Sequence, residues 1–406
     1  MDPNDLENFS QRINDQLFGH ILPFWCGPAL DHEQGGWMGC LSNDLNPDRA
    51  QPKGLIVNSR ILWAFSAVHR ARPEKLFQQM ADRALDFVMN RFWDTLQGGA
   101  FWRLDDAGRV LDVSKKIYGQ AFYIYALAEY HQAFGGKAAL ERAIQLFELI
   151  ERHAHDPKNG GYIEVCRRDW SEAGAEARLS DKDMNEKKSM NNHLHVLEAY
   201  TNLYRAWPEP RVAERLRELI QLFEQRILDA RTQHFHHFFD GTWRVRSDTY
   251  TFGHDIEGTW LLCEAAEALG DTALLKRVQP VALRMAEVAL REGVDAEGAL
   301  AYEGKNGKVI DPGRECWPQA EGVVGFLNAF QLSGDAKYFA AARRVWDFIE
   351  NRLVDRVHGE WFWRINMDGQ PDLKLPKVSE WKGPYHGSRA CLETLHRLRA
   401  ISNATA

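Results

Sequence analysis

Three histidines stand at the beginnings of three predicted helices: His195 in MNNHLH, His254 in FGHDIE and His386 in PYHGSR. The unperturbed pKa of histidine, about 6.5, lets an imidazole take up and return a proton near neutral pH. Two imidazoles that face one carbon from opposite sides would remove a proton from one face and return a proton to the other. This set of residues therefore predicts inversion at a carbon centre, which is the chemistry of an epimerase.

Other polar and aromatic side chains occur at the same position of the predicted helices. Removal of the proton next to a sugar aldehyde leaves an enediolate, which needs fixed hydrogen-bond donors, and Arg60, Asn191 and His195 are candidates for this role. The further candidates at helix starts are Tyr118, His193, Asp255, Glu257, Trp317, Gln319, Glu321 and Trp381. Such a cluster predicts one site that is assembled from several distant segments.

Metal and nicotinamide chemistry are not favoured by the sequence. His193 and His195 are two residues apart on a helix and point about 200° apart, so they would not both face one ion. The chain contains neither HExxH nor GxGxxG. We therefore expect no metal and no cofactor.

A sixfold repeat must position these residues. Each copy opens with an aspartate before a short hairpin rich in glycine and aromatic residues, and the aspartates lie about 60 to 73 residues apart. They are Asp31, Asp94, Asp156, Asp229, Asp295 and Asp355. Two amphipathic helices are predicted between successive hairpins, one more apolar than the other. The pattern predicts an all-α fold, an (α/α)6 barrel of six helix pairs with short β-hairpins at one end, as a single domain over residues 1–406.

The predicted helices fall into two sets. The outer ones cover about 4–24, 74–92, 137–154, 210–228, 272–292 and 335–353, and the inner ones cover about 58–72, 118–134, 191–206, 255–269, 318–333 and 387–402. The inner helices would start around one mouth of the barrel. A long polar segment, 167–190, interrupts the third copy with Asp181 and Asp183, and it suits a functional lid and a mobile loop equally.

Composition narrows the class of protein. The 406 residues carry a net charge of −7 with interleaved signs, which does not favour nucleic acid or an anionic membrane as a partner. The N-terminus has no signal-peptide pattern, and no apolar run is long enough to span a bilayer. Six cysteines without CxxC spacing predict reduced thiols. We expect a cytoplasmic enzyme for a small neutral ligand, as a monomer or a homodimer.

Six motifs in order carry a resemblance to a known family. They are KGLIVNSRILWAFSAVHR, KKIYGQAFYIYALAEY, MNNHLHVLEAYTNLYR, TFGHDIEGTWLLCEAAE, CWPQAEGVVGFLNAFQLS and EWKGPYHGSRACLE. With them the chain resembles the N-acylglucosamine 2-epimerase superfamily over nearly its whole length. The resemblance implies an (α/α)6 barrel and cofactor-free epimerisation at C2 of a reducing-end glucose to mannose. The path it implies is ring opening, a cis-enediolate and reclosure, on β-1,4-linked disaccharides.

The resemblance also implies roles for individual residues. His254 and His386 would be the acid/base pair at C2. The open chain and its enediolate would be bound by Arg60, Tyr118, Asn191, His195 and Glu257, with Trp317 and Trp381 as aromatic walls and Asp183 on the sugar hydroxyls. Cys316 departs from the pattern, in which a second tryptophan precedes Trp317.

The sequence is compatible with three other functions. An aldose–ketose isomerase or a 2-epimerase of free mannose and glucose would use the same groups and differ in substrate or in the carbon that receives the proton. A glycoside hydrolase would need two carboxyl groups about 5–5.5 Å or 6.5–9.5 Å apart. Its candidates are Asp183, Asp255, Glu257 and Glu321. A sugar-binding protein without catalysis would keep the aromatic walls and could lose the histidines.

Overall fold

Twelve long helices alternate between an outer and an inner layer in the computed structural model, which describes residues 3–174, 178–180 and 183–405. The outer helices are α1 (Pro3–Gln16), α3 (Lys75–Phe87), α5 (Lys137–His153), α7 (Pro210–Leu222), α9 (Thr272–Val288) and α11 (Ala336–Phe348). The inner helices are α2 (Leu55–Ala71), α4 (Ile117–Phe134), α6 (Met190–Ala206), α8 (Phe252–Ala268), α10 (Cys316–Ser333) and α12 (Tyr385–Thr405). The predicted (α/α)6 barrel is confirmed.

The two layers differ in burial as their sequences predict. In α2 every residue from Leu55 to Val68 is buried, because both neighbouring inner helices and the outer layer cover it. The outer helices expose their charged faces and bury a stripe, such as Phe77, Ala81 and Ala84 of α3. Five outer helices end in a π-helical turn, at Leu17–Ile21, Val88–Phe92, Phe223–Ile227, Ala289–Gly293 and Ile349–Leu353. These turns account for the longer outer ranges predicted from sequence.

Short strands link neighbouring modules at the mouth. The pairs are antiparallel: Lys53–Gly54 with Arg103–Leu104, Lys115–Lys116 with Val165–Cys166, Lys188–Ser189 with Phe238–Phe239, Tyr250–Thr251 with Glu303–Lys305, and Arg314–Glu315 with Arg364–Ile365. In each pair the strand just before an inner helix meets a strand that follows the next hairpin. A bridge between Leu41 and Val378 makes the sixth link, from the last module to the first. The ring of six modules is therefore closed.

The repeated aspartates tie each hairpin to the next inner helix. Each accepts hydrogen bonds from backbone N–H groups two or more residues ahead, as Asp94 does from Leu96 and Gln97. In five modules the carboxylate also binds a cation that precedes the inner helix. These pairs are Asp31 with Lys53, Asp94 with Lys115, Asp156 with Lys188, Asp295 with Arg314 and Asp355 with Lys377. In these five modules the start of the inner helix is thereby held at the mouth.

Polar residues one turn into the inner helices hold the hairpins as well. His193 accepts the Tyr162 N–H at Nε2 (2.8 Å), and its Nδ1 lies 2.6 Å from the Ser189 carbonyl. Burial lowers the pKa of His193 to about 4, so the ring is neutral. A Cβ at Gly161 would come within 2.5 Å of this ring, and the φ of +75° also requires glycine there. His193 therefore belongs to the scaffold, and it points away from His195 as the helical spacing predicts.

Two further findings concern the chain as a whole. Among the residues that the structure describes, no helix is both long and apolar enough to cross a membrane. All six cysteines are free thiols, and Cys166, Cys263 and Cys391 are buried.

Candidate active site

A cavity of about 930 Å³ opens at the mouth where the inner helices begin. Its inner part is lined by residues from all six inner helices and from the segment before α12: Arg60, Tyr118, Asn191, His195, His254, Glu257, Trp317, Trp381 and His386. Its outer part is lined by polar side chains of the connecting segments, among them Arg178, Asp183, Arg364, Asp372 and Lys374. Pockets of ~300–1,000 Å³ are typical for small organic ligands. The cavity is large enough for more than one sugar ring.

Each of the three cavity histidines has a partner at Nδ1. His195 Nδ1 lies 2.9 Å from Glu198 Oε2, and His386 Nδ1 lies 2.7 Å from Glu321 Oε1. His254 Nδ1 lies 2.6 Å from the Thr251 hydroxyl oxygen. A carboxylate can only accept, so Nδ1 of His195 and His386 carries the proton. The nitrogen that remains for the cavity is Nε2 in each ring.

Trp317 lies between the two histidines expected to act at C2. Its ring centroid is 4.7 Å from that of His254 and 5.7 Å from that of His386. Burial lowers the pKa of His254 and of His386 well below the ordinary value, and for His386 the charges of Arg60 and Arg389 act in the same direction. Both imidazoles are therefore neutral at physiological pH and able to accept a proton.

A buried guanidinium lies beneath the cavity. Arg389 is 1% exposed and donates to Glu257 Oε1 at 2.5 Å and to Glu321 Oε1 at 2.6 Å. It also donates to Glu198 and to the Tyr385 hydroxyl, which in turn donates to Glu198. One cation thus holds the two carboxylates that orient His195 and His386, together with the carboxyl group of Glu257.

The three carboxyl groups around Arg389 differ in their protonation. Burial acts to raise the pKa of Glu198, but Arg389 and the hydrogen bonds outweigh it and lower the pKa to about 2. Burial and the charge of Glu321 raise the pKa of Glu257 to about 8. Both oxygens of Glu321 accept N–H donors, whereas Glu257 Oε2 has no partner among the described residues. Glu257 is therefore the group that holds a proton at neutral pH.

Arg60 closes one side of the inner cavity. It donates to the Trp381 carbonyl and to the Tyr118 hydroxyl, each at 3.0 Å. Its guanidinium carbon also lies 4.4 Å from the centroid of the Phe122 ring. These contacts fix a positive charge at the cavity wall, where it can stabilise a developing oxyanion.

Two side-chain oxygens at the cavity have no hydrogen-bond partner within the part of the chain that the structure describes. They are Oδ1 of Asn191 and Oε2 of Glu257, and both atoms are buried. Buried polar atoms without partners are costly, so a site that leaves them open is suited to a ligand with hydroxyl groups. Asp183 also lines the cavity, with Oδ2 engaged by the backbone and hydroxyl of Ser180. Asp181 lies outside the described residues.

Of the described candidate residues named from sequence, ten line the cavity, whereas His193, Asp255, Gln319 and Glu321 do not. Glu321 does not line the cavity, because it lies behind His386 and binds Arg389, so the expected contact with substrate is replaced by a positioning contact. His195 was expected to donate to the enediolate. Since Glu198 takes its Nδ1–H, neutral His195 offers an acceptor at Nε2 instead.

Three of the four candidate carboxyl groups, those of Asp255, Glu257 and Glu321, do not form a hydrolase pair with one another. Asp255 is turned away from the cavity and is bound by His234 Nδ1 at 2.7 Å and by the Phe235 N–H at 2.9 Å. Glu257 and Glu321 share Arg389 on one side of the site. The arrangement required for hydrolysis, two carboxyl groups on either side of a sugar bond, is not formed by these three residues.

A group of potential metal ligands overlaps this cluster. Single ligand atoms of Glu257, Glu321 and His386 lie within 4.8 Å of one another. The guanidinium of Arg389 already supplies the positive charge at this point and occupies one oxygen of each carboxyl group. A metal ion would have to displace these hydrogen bonds, so this donor set does not suit one.

Sequence reasoning missed four residues of the site: Glu198, Arg389, Tyr385 and Thr251. One signal could have found Glu198 and Arg389: a charged residue within an otherwise apolar inner helix must be paired when buried. Glu198 lies three positions after His195, and Arg389 lies three positions after His386, so each shares a helix face with a cavity histidine. Thr251 precedes its helix and carries no comparable signal.

Fold and site together define an isomerase: a helical barrel whose mouth presents neutral histidines to a sugar-sized cavity. The family model of N-acylglucosamine 2-epimerase matches residues 36–388, and the chain belongs to this family. A cellobiose 2-epimerase of Bacteroides fragilis is 42% identical over 391 residues, which are 96% of this chain and 99% of the relative. One of Dictyoglomus turgidum is 37% identical, with 97% and 100% covered. The structure of cellobiose 2-epimerase from Bacillus thermoamylovorans has a TM-score of 0.91 and 37% identity, with 96% of this chain and 100% of that chain covered.

Proposed function

We propose that the protein interconverts glucose and mannose at the reducing end of β-1,4-linked disaccharides, turning cellobiose into glucosyl-mannose without a cofactor. The observation that carries this proposal is the pair of neutral imidazoles, His254 and His386, which line one cavity on the ring of Trp317. The relatives named cellobiose 2-epimerase support the choice of substrate.

The reaction begins with ring opening. Neutral His195, with Nδ1 bound to Glu198, offers Nε2 as acceptor for the proton of the anomeric hydroxyl. The sugar ring opens as the electron pair of the O1–H bond forms the C1–O1 double bond and the C1–O5 bond breaks. The imidazolium that His195 has become then returns its proton to O5. The resulting aldehyde makes the C2 proton acidic enough for a base to remove.

Proton transfer at C2 follows. One histidine takes the C2 proton at Nε2, the electron pair of the C–H bond forms the C1–C2 double bond, and negative charge develops on O1 beside Arg60. The other histidine, as an imidazolium that has taken up a proton from solvent at Nε2, gives this proton to the opposite face of C2 as the C1–O1 double bond re-forms, and ring closure yields the epimer. His386 is the better base of the two because the carboxylate of Glu321 stabilises its imidazolium form, whereas His254 is backed by a hydroxyl group.

The outer cavity suits the second sugar ring. Asp372, Arg364 and Lys374 line it with groups that can bind hydroxyls, and the indole of Trp381 offers an apolar wall. A monosaccharide would leave these groups unused, which favours a disaccharide as substrate.

The test is NMR of the protein with cellobiose, mannose or glucose, each incubated separately in D2O with a chelator. We expect glucosyl-mannose with deuterium at C2, and loss of turnover by ~10²–10⁴-fold in His254→Asn and His386→Asn, which should fold normally. Fructose formed from mannose would identify an aldose–ketose isomerase instead. Release of glucose from cellobiose would identify a hydrolase, and no reaction would identify a binding protein; each of these outcomes contradicts the proposal.

A further inference from the structure

His237 has no place in the chemistry described so far, although it lies beside the cavity. It belongs to the histidine-rich hairpin segment HFHHFF, residues 234–239, whose other histidines have different surroundings. His234 is buried between Asp255 and Glu292, and the half-buried His236 packs against Phe239. The His237 ring centroid lies 5.9 Å from that of His254.

Two contacts connect His237 to His254 through Thr251. The Thr251 N–H donates to His237 Nε2 at 3.1 Å, so this nitrogen carries no proton. The Thr251 hydroxyl oxygen lies 3.5 Å from the same nitrogen and 2.6 Å from His254 Nδ1. Burial lowers the pKa of His237 to about 4, which agrees with a neutral ring that accepts hydrogen bonds.

The partner of His254 differs in kind from those of the other two cavity histidines. A carboxylate only accepts, and it fixes the proton of His195 and of His386 on Nδ1. A hydroxyl can donate or accept, so threonine alone would allow either tautomer of His254. With His237 Nε2 as a second acceptor, the Thr251 hydroxyl can donate its proton to His237 instead of His254. The hydroxyl oxygen is then free to accept the His254 Nδ1–H.

We propose that His237 is a positioning residue which, through the Thr251 hydroxyl, keeps the proton of neutral His254 on Nδ1, so that Nε2 alone exchanges a proton with the sugar. The same arrangement serves the protonated ring, because the imidazolium also donates from Nδ1 to Thr251. His254 therefore moves between its base and acid forms without any change in its hydrogen bonds to the protein. This inference rests on the proposed function for its catalytic consequence, but not for the tautomer itself.

The test uses four variants. Thr251→Val removes the hydroxyl at nearly constant volume, and Thr251→Ser retains it. His237→Phe removes the acceptor and keeps a ring, while His236→Phe makes the same substitution one position earlier on the hairpin. Long-range proton–nitrogen spectra of protein labelled with ¹⁵N-histidine report the tautomer directly, and His254→Asn identifies the signal of His254.

We expect His254 to carry its proton on Nδ1 in the wild type, Thr251→Ser and His236→Phe. In Thr251→Val and His237→Phe the tautomer should shift toward Nε2–H, with kcat lower by ~10–100-fold and KM nearly unchanged. A wild-type tautomer in Thr251→Val, or equal behaviour of His237→Phe and His236→Phe, would overturn the inference. Should His237→Phe not fold, Thr251→Val still decides. If the wild type epimerises no sugar but the tautomer shifts as described, the proposed function fails and the hydrogen-bond chain stands.

Discussion

Replacing Arg389 with methionine should destabilise the barrel in a way that depends on pH. The guanidinium is fully buried and binds the carboxyl groups of Glu198, Glu257 and Glu321. Methionine fills similar space but removes the cation, and leaving a buried charge without its partner costs about 3–5 kcal/mol. This is a larger loss than any single exposed ion pair would produce.

The expected change in melting temperature follows from the length of the chain. Unfolding entropy of about 2.1 cal/mol/K per residue gives about 0.85 kcal/mol/K for a chain of this size, if the barrel unfolds as one cooperative unit. A loss of about 3–5 kcal/mol then lowers Tm by about 4–6 °C. Arg277→Met is the matched control, because Arg277 is exposed and forms its ion pair, among the described residues, with Glu224 alone. This variant should lower Tm by about 1 °C or less.

The pH dependence separates the loss of the charge from a simple packing defect. In the wild type Arg389 is a main reason that the pKa of Glu198 lies at about 2, below its value in the unfolded chain. Without Arg389, burial raises the folded pKa above the unfolded value, so the folded variant takes up protons as pH falls. Differential scanning at about pH 7.5 and about pH 5.5 should therefore show a smaller Tm difference from wild type at the lower pH. An equal difference at both pH values, or a change of Tm like that of Arg277→Met, would refute this account of the cluster.

Two further predictions concern binding and pH. Trp381→Ala should raise KM for cellobiose by about tenfold or more, with a smaller effect on kcat, because an aromatic wall binds the ground state and the transition state alike. An unchanged KM in steady-state assays would show that Trp381 is not part of the wall. Glu257 should lose its proton as pH rises through about 8, adding negative charge beside the enediolate, so activity should fall above that pH. Glu257→Gln should flatten this alkaline limb. Glu267→Gln is the control, because the pKa of this carboxyl is also raised but Glu267 lies outside the cavity lining, and it should leave the limb in place. Equal pH profiles of both variants would contradict the assignment.

The architecture was largely predictable because the two helix layers leave different patterns in the sequence. Outer helices such as α3 alternate charged and apolar positions, and inner helices such as α2 are apolar on nearly every face. The inner helices begin one to three residues earlier than predicted, as at Leu55 and Phe252, since strand pairing at the mouth orders the residues in front of them.

The candidate site was predictable only at the surface that substrate would touch. His254 and His386 stand out by residue type, but their partners come from different segments: Thr251 from the strand before the same helix, and Glu321 from the neighbouring helix. Likewise the hydrogen bonds of Arg389 reach helices more than 60 residues away in sequence. Contacts of this kind depend on the closed ring, and no local pattern encodes them.

Because the ring is closed, the first and the last helix of the barrel are neighbours. The outer helices run toward the mouth and the inner helices away from it, so the start of α1 and the end of α12 lie on the face opposite the cavity, and the two helices pack together. Elsewhere on that face a short turn joins each inner helix to the next outer one, as Gly135 and Gly136 join α4 to α5. A comparable linker from Thr405 to Pro3 would make the polypeptide circular without touching the cavity. The gene could then be reopened at any of the other five turns, and the six modules would reassemble the same mouth from a circularly permuted chain.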